Sequence, residues 1–232
     1  MTGQAGEGSR VPSPAVRHRS IPEATVARLA VYLQVLSAGP QVADDDGIVS
    51  SAGLAAAAGV NPAGLRRDLS FLGSHGVRGV GYDAARLVEE IRRVLGAHHA
   101  FRVALVGVGN LGRALSGYAG FAGRGFDIAG LFDVDPAKVG QRVGGFLVRH
   151  VSELASVCRA ESITIGVIAT PEEAAQSAAD ALVEAGIFSI LDFAPGMVAV
   201  PPGVEVRRVD LGLELQMLAF HETSRSSGIA RS

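Results

Sequence analysis

Residues 102–112 read Arg102-Val103-Ala104-Leu105-Val106-Gly107-Val108-Gly109-Asn110-Leu111-Gly112. An apolar run passes straight into Gly107-x-Gly109-x-x-Gly112, and the next apolar run, 126–132, ends on Asp133, about twenty residues further on. The glycine pattern alone is a weak signal. Set between a strand and a helix, with an acid at that distance, it is the dinucleotide-binding arrangement. Gly107 permits the tight strand-to-helix turn, Gly109 lets the backbone approach a pyrophosphate, and Gly112 lets the helix pack against the strand. Val108, Asn110 and Leu111 complete the loop, whose free N–H groups and helix dipole favour an anion. Asp133 is placed to accept hydrogen bonds from the adenosine ribose hydroxyls and to repel a 2′-phosphate, which favours NAD⁺ and NADH over their phosphorylated forms. Asp135 reads as the cap of a helix beginning at Pro136, with a share in the ribose contact as the alternative.

The pattern continues outward from this loop. Strands are expected at 102–107, 126–132, 163–168 and 187–192, and helices at 110–118, 151–158 and 172–185. That alternation specifies an α/β unit with a doubly wound parallel sheet of the Rossmann type. Ligands bind at the carboxyl ends of such strands. Thr170 and Pro171 lie at one of those ends, where they either border the nicotinamide or form an ordinary turn with proline at the first helical position. Phe193, Ala194 and Pro195 lie at another and are counted with them as cofactor-binding residues.

Roughly a hundred residues precede the fingerprint. Val26, Leu29, Ala30, Leu33 and Leu36 give a helix one apolar face after Pro22, and Gly39-Pro40 stops it. Residues 41–49, with Asp44-Asp45-Asp46, read as a solvated loop. Ser50 or Ser51 caps a short helix that ends at Gly59. Asn61 caps the next, with Pro62 in its first turn, and it runs to about Leu72. Two short helices joined by a glycine-containing turn form a helix-turn-helix. The second helix has Leu65, Leu69 and Leu72 on one face, with Arg66, Arg67 and Ser70 off it, suited to base edges or phosphates in a major groove. Residues 76–82, Gly-Val-Arg-Gly-Val-Gly-Tyr, read as a β-hairpin wing that carries Arg78 and Gly79. A helix at about 83–96 follows.

Composition bounds the rest. The chain has 232 residues, 48% of them hydrophobic, and a net charge of −2. There is no global basic signature. A single cysteine, Cys158, leaves no intrachain disulfide and no cysteine metal cluster. No run is long and apolar enough for a membrane span, and residues 1–19 lack the apolar centre of a secretory signal. A cytoplasmic protein is expected. No histidine has metal-ligand spacing. The expected divisions are 1–20 as a disordered extension, 21–97 as a winged-helix domain, 98–209 as the Rossmann domain, 210–222 as a closing helix and 223–232 as a disordered tail. The closing helix has two apolar stripes, Leu211, Leu215 and Leu218 against Leu213, Met217 and Phe220. That is too apolar for one exposed face, so a dimer interface is expected, with packing inside its own chain as the alternative.

Several of these stretches, in order, resemble the redox-sensing repressor family Rex over about residues 21–221. They are Asn61-Pro-Ala-Gly-Leu-Arg-Arg-Asp-Leu-Ser70, Gly76-Val-Arg-Gly-Val-Gly-Tyr82, Gly107-Val-Gly-Asn-Leu-Gly112, Gly117-Tyr-Ala-Gly-Phe121, Phe132-Asp-Val-Asp-Pro136, Asp192-Phe-Ala-Pro195 and Val209-Asp-Leu211. The resemblance implies a winged helix fused to a Rossmann domain, a homodimer formed by swapping the C-terminal helix, and operator DNA that is held by the free or NAD⁺-bound dimer and released by NADH. It implies that Asn61, Arg66, Arg67 and Ser70 face the operator and that Arg78 and Gly79 lie in the wing near the minor groove. It also implies that Tyr118 of one chain meets the partner's aspartate at the Asp210 position, beside Leu211. Three positions depart from the family pattern: Leu72, Ala119 and Leu211 stand where a tyrosine, a proline and a phenylalanine are often found. The alternatives are a small NAD-dependent dehydrogenase, disfavoured because no substrate domain and no evident acid–base group remain, and a nucleotide- or CoA-binding module. A regulator rather than an enzyme is therefore expected.

Overall fold

The computed structural model describes residues 21–38, 44, 46–73, 76–77, 80–96 and 100–226. The chain divides into two units, 1–98 and 99–232.

In the first unit, α1 (Glu23–Ser37), β1 (Ile48–Val49), α2 (Ser51–Ala57), α3 (Pro62–Leu69), β2 (Tyr82–Asp83) and α4 (Ala84–Val94) follow one another, and a single 3₁₀ turn, Ser70–Leu72, extends α3. Local chemistry sets the helix starts. Ser50 Oγ accepts from Gly53 N at 3.0 Å and Asn61 Oδ1 from Gly64 N at 2.7 Å, each supplying one of the partners that a first turn lacks. Leu29 and Tyr32 of α1, Leu54 of α2, Leu65 and Leu69 of α3 and Leu87 and Ile91 of α4 form one core. The 41–49 segment departs from its reading as loop throughout. Ile48 and Val49 pair antiparallel with Asp83 and Tyr82, and Val49 is fully buried. The wing is therefore a two-stranded sheet whose outer strand precedes α2, with one further antiparallel bridge between Val77 and Gly81. Arg78 and Gly79 lie outside the described residues, as do His75, the His98-His99 pair and residues 1–20.

The second unit contains β3 (Phe101–Val106), α5 (Asn110–Ser116), α6 (Ala119–Ala122), β4 (Phe126–Asp133), β5 (Arg142–Val143), β6 (Phe146–His150), α7 (Leu154–Ala160), β7 (Ile165–Ile168), α8 (Glu172–Glu184), β8 (Ser189–Asp192), β9 (Glu205–Arg208) and α9 (Leu211–Ser226). The seven strands are ordered β5-β6-β4-β3-β7-β8-β9. All pair in parallel except β5 with β6. With the short β5 set aside, the order is third, second, first, fourth, fifth, sixth, the Rossmann winding, whose switch point lies between β3 and β7. Ala104, Val106 and Phe132 pack against α7 and α8 on one face. Val103, Leu105 and Leu131 pack with Leu115 of α5 on the other.

Four features differ from the sequence reading. The β5–β6 hairpin turns on Gly144 and Gly145, both at positive φ, a two-residue turn that needs glycine. Strand β9, Glu-Val-Arg-Arg, is a charged edge strand and so lacks the apolar run that marks a buried one. Residues 136–140 form a turn rather than a helix, with Asp135 Oδ1 accepting from Ala137 N at 2.9 Å. Finally, α9 continues through residues expected in the tail and ends at Ser226.

Candidate nucleotide cleft and nucleic-acid interface

The three fingerprint glycines meet three different surroundings. Gly107, just past β3, has φ +97°, and a Cβ there would lie 2.7 Å from the Ala169 carbonyl oxygen beyond β7. A Cβ on Gly112 would lie 1.9 Å from the Gly107 carbonyl oxygen, so helix and loop are as close as glycine allows. Around Gly109 the space is empty: a Cβ would meet no atom beyond its own chain neighbours within 4 Å. The turn and the packing thus consume two glycines, and the third borders a hollow.

That hollow is a cleft of about 510 Å³ at the switch point, lined by Val106, Gly107, Gly109, Asp133, Asp135, Lys138, Val151, Ala169, Thr170, Pro171 and the α8 residues Glu173, Ala174, Ser177, Ala178 and Ala181. Its volume is that of a small-molecule site. The Thr170 hydroxyl is buried and has no hydrogen-bond partner, and buried polar atoms left in that state mark a place where a ligand or water completes the set. Glycines that keep a cradle clear and an unsatisfied hydroxyl in its wall fit a dinucleotide.

Asp133 closes the β4 end of the cleft. It is 5% exposed. Its Oδ1 accepts from Asp135 N at 3.0 Å, and its Oδ2 accepts from Val108 N at 2.8 Å and from Lys138 Nζ at 3.0 Å. Burial pushes its pKa up, but those three donors outweigh burial and hold the carboxyl below the ordinary range. The sequence reading missed Lys138; its signal was a lone lysine five residues after the acid. Val108 is buried, Asn110 exposed and Leu111 half-buried.

At the β8 edge, Asp192 is 1% exposed, and burial raises its pKa. Its Oδ1 accepts from Ala194 N at 2.9 Å, which fixes the turn through Phe193, Ala194 and Pro195. These three do not line the cleft beside Gly107. Asp210 caps α9, with Oδ1 accepting from Leu213 N at 3.0 Å and Oδ2 from Arg208 at 2.8 Å. Tyr118, 52% exposed, makes an edge-on contact with Phe121. Among the described residues no hydrogen bond joins Tyr118 to Asp210 within one chain. Leu211, Leu213, Leu215, Met217, Leu218 and Phe220 are each more than half exposed. A separate apolar groove of about 390 Å³, lined by Val103, Phe126, Ile165, Val167 and Ile190 among others, stays open on the sheet.

In the first unit, Arg66, Arg67 and Ser70 stand together on the exposed side of α3. Arg66 donates to Ser51 Oγ at 3.2 Å, and the Ser70 hydroxyl to the Arg67 carbonyl at 2.6 Å. Asn61 is exposed beside them, its Oδ1 committed to the cap. Asp68, on the buried side of the same helix, holds α3 to α1. Its carboxylate accepts from Arg28 at 2.7 and 2.8 Å, from Tyr32 OH at 2.8 Å and from Thr25 Oγ1 at 3.0 Å. The Arg28 guanidinium, ahead of the other donors, lowers the Asp68 pKa, and burial together with Asp68 pushes the Tyr32 hydroxyl up to about 12. The sequence reading missed this clamp, because nothing in the spacing of residues 25, 28, 32 and 68 indicates that they meet. Among the described residues no cluster of histidine, cysteine or carboxylate is fit for a metal.

Two protein-family models match the chain, "Putative DNA-binding protein N-terminus" over residues 20–70 and "CoA binding domain" over 98–196. A protein of Streptomyces avermitilis named redox-sensing transcriptional repressor Rex is 54% identical over 217 residues, which cover 94% of this chain and 85% of its own. One of the same name from Syntrophobacter fumaroxidans is 42% identical, covering 89% of this chain and 98% of its own. A crystal structure of RSP in complex with β-NAD⁺ and operator DNA superposes with a TM-score of 0.81 at 30% identity, covering 89% of this chain and 94% of that one. RSP in complex with β-NADH gives 0.78 at 28% identity, covering 89% and 96%.

Proposed function

The chain belongs to the family of redox-sensing transcriptional repressors named Rex, and on that premise we propose that it represses transcription by binding operator DNA and releases it when its Rossmann unit takes up NADH. One observation carries the reading. A cleft kept clear at Gly109, with an unsatisfied Thr170 hydroxyl in its wall, belongs to the same chain as a helix-turn-helix whose exposed face presents Arg66 and Arg67.

The residues take roles accordingly. Gly107, Gly109 and Gly112 admit the pyrophosphate, and Asp133 with its neighbours holds the adenosine ribose. Thr170 and Pro171 border the remainder of the dinucleotide, towards Phe193, Ala194 and Pro195. NAD⁺ and NADH supply rings that differ by one positive charge. Walls built of Val106, Ala169, Ala174 and Ala178 solvate a cation poorly, so a closed cleft favours the neutral ring. In α3, Arg66 and Arg67 reach guanine edges or phosphates and Ser70 and Asn61 support them, with Arg78 and Gly79 the candidates for a minor-groove contact. The role is that of a regulator, as in the relatives named redox-sensing transcriptional repressor. It acts in the cytoplasm, and no described helix is long and apolar enough to cross a membrane.

The working unit is a homodimer. Six large apolar side chains of α9 are exposed in the single chain, more than a soluble helix leaves in water. They are covered when α9 crosses to a second copy, where Asp210 and Leu211 meet the partner's cofactor domain near Tyr118. The open groove on the sheet adds a further apolar surface that dimerisation covers. If two sites bias one equilibrium between dimer arrangements, their effects are reciprocal: DNA must weaken NADH binding by the factor with which NADH weakens DNA binding. Measuring both factors on one preparation tests this directly, and unequal factors contradict it.

A further inference from the structure

Lys138 is the chain's single lysine, against twenty arginines, and it lies in the wall of the cleft next to Asp133. The acid that a dinucleotide fold uses to recognise a ribose is therefore not bare. Three protein donors already engage it, and it is almost wholly buried. What the cleft presents at this end is the Lys138 ammonium, with 31% of its side chain exposed, and the Asp135 carboxylate, 44% exposed and 3.8 Å from it. An ammonium has three donors. One is spent on Asp133 at 3.0 Å, and the distance to Asp135 is that of an ion pair rather than a hydrogen bond. Donors are left over for a ligand.

We propose that Lys138 is the residue that sets which adenosine ribose the cleft accepts, donating to the ribose oxygens while it offsets one of the two carboxylates that a 2′-phosphate would face. The inference rests on reading the cleft as a dinucleotide site. The local charge of Asp133, Asp135 and Lys138 together is one negative. A free ribose diol gains a donor from Lys138 and an acceptor from Asp135. A 2′-phosphate dianion meets a net repulsion of one charge, where the two carboxylates alone would present two. The preference for NADH over NADPH is therefore moderate in this chain, and charge substitutions around Lys138 move it in either direction. A unit charge about 4 Å from a dianion in water, damped by salt at physiological ionic strength, amounts to about a tenfold change in affinity.

The experiment measures dissociation constants for NADH and NADPH on the full chain by cofactor fluorescence, at fixed ionic strength, for the parent, Lys138→Met, Lys138→Arg and Asp135→Asn. Thermal melts check folding. The parent binds NADH more tightly. Lys138→Met widens the NADPH-to-NADH ratio of dissociation constants about tenfold, Asp135→Asn narrows it by a similar factor, and Lys138→Arg, which keeps the charge, leaves it within threefold. A ratio that moves less than threefold in Lys138→Met overturns the inference. So does a loss of both cofactors in equal measure in that variant, because a lysine that only props up Asp133 would act that way. Failure of the parent to bind NADH at all overturns the reading of the cleft instead.

Discussion

Gly109 and Gly112 are both fingerprint glycines, yet the structure separates them: alanine at Gly109 costs binding alone, and alanine at Gly112 costs binding and fold together. At Gly109 the backbone is extended, with φ −81° and ψ −158°, a conformation open to any residue. The added methyl meets no atom beyond its own chain neighbours within 4 Å. Gly109 is also the N-cap of α5, where alanine is the poorer residue by about 0.5–1 kcal/mol. That offsets the gain of about 0.4–1 kcal/mol from removing a glycine from the unfolded chain, so Gly109→Ala melts close to the parent's temperature. The methyl occupies the cleft, however, and holds a phosphate away from the backbone. Losing one hydrogen bond to a charged group costs about 1.5–3 kcal/mol, which weakens NADH roughly 10- to 150-fold. At Gly112 the methyl would lie 1.9 Å from the Gly107 carbonyl oxygen. Backbone must move, and overpacking of this kind costs about 1–3 kcal/mol or more, so Gly112→Ala lowers the melting temperature and NADH affinity together. Thermal denaturation with NADH titration on the same samples separates the two. A Gly109→Ala protein that binds NADH like the parent, or that melts several degrees lower, refutes the reasoning.

Other outcomes follow from the same geometry. Replacing Arg66 and Arg67 together by alanine removes sequence-specific binding to an inverted-repeat duplex and leaves NADH affinity unchanged; a footprint that persists would mean α3 is not the reading helix. The Asp68 carboxyl is held below its unfolded pKa, so its contribution to stability is complete above the ordinary carboxylate range and is lost as the pH falls through its folded value. Asp68→Asn should therefore destabilise the first unit near neutrality by about 2–3 kcal/mol, less than the roughly 3–5 kcal/mol of a fully buried pair because the Arg28 side chain is 41% exposed, and should flatten the acid limb of its stability curve. Leu215→Asp in α9, judged by sedimentation, should shift the protein from dimer towards monomer without unfolding the Rossmann unit; an unchanged dimer would place the interface elsewhere. Tyr118→Phe and Asp210→Ala should keep the fold and reduce the effect of NADH on DNA affinity, and a full response in both removes this pair from the switch.

The sequence made the winding of the second unit legible because buried parallel strands are apolar runs and the glycine loop fixes one of their ends. The flanks of the sheet were less so. β6 and β5 are marked by a Gly-Gly turn rather than by hydrophobicity, and β9 has one apolar residue in four. In the first unit, helix caps and the leucine stripe point to α2 and α3, whereas Ile48-Val49 is too short to read as a strand until Tyr82-Asp83 comes to pair with it. At the cleft, the glycine spacing carries its own geometry. The company kept by Asp133 does not show in a linear motif, because Val108, Asp135 and Lys138 reach it through a loop from β3 and a turn after β4. The clamp on Asp68 is still less visible, as its partners are 36 to 43 residues away.

NADH and operator DNA should oppose each other on this chain. The most direct test is the affinity of the full-length protein for an operator fragment without ligand, with saturating NAD⁺ and with saturating NADH, at one salt concentration because phosphate contacts make affinity salt-dependent. Binding should be similar and tight in the first two conditions and weaker by about 5- to 150-fold with NADH, the range of a coupling of roughly 1–3 kcal/mol. Equal affinity in all three conditions, or tighter binding with NADH, would contradict that opposition.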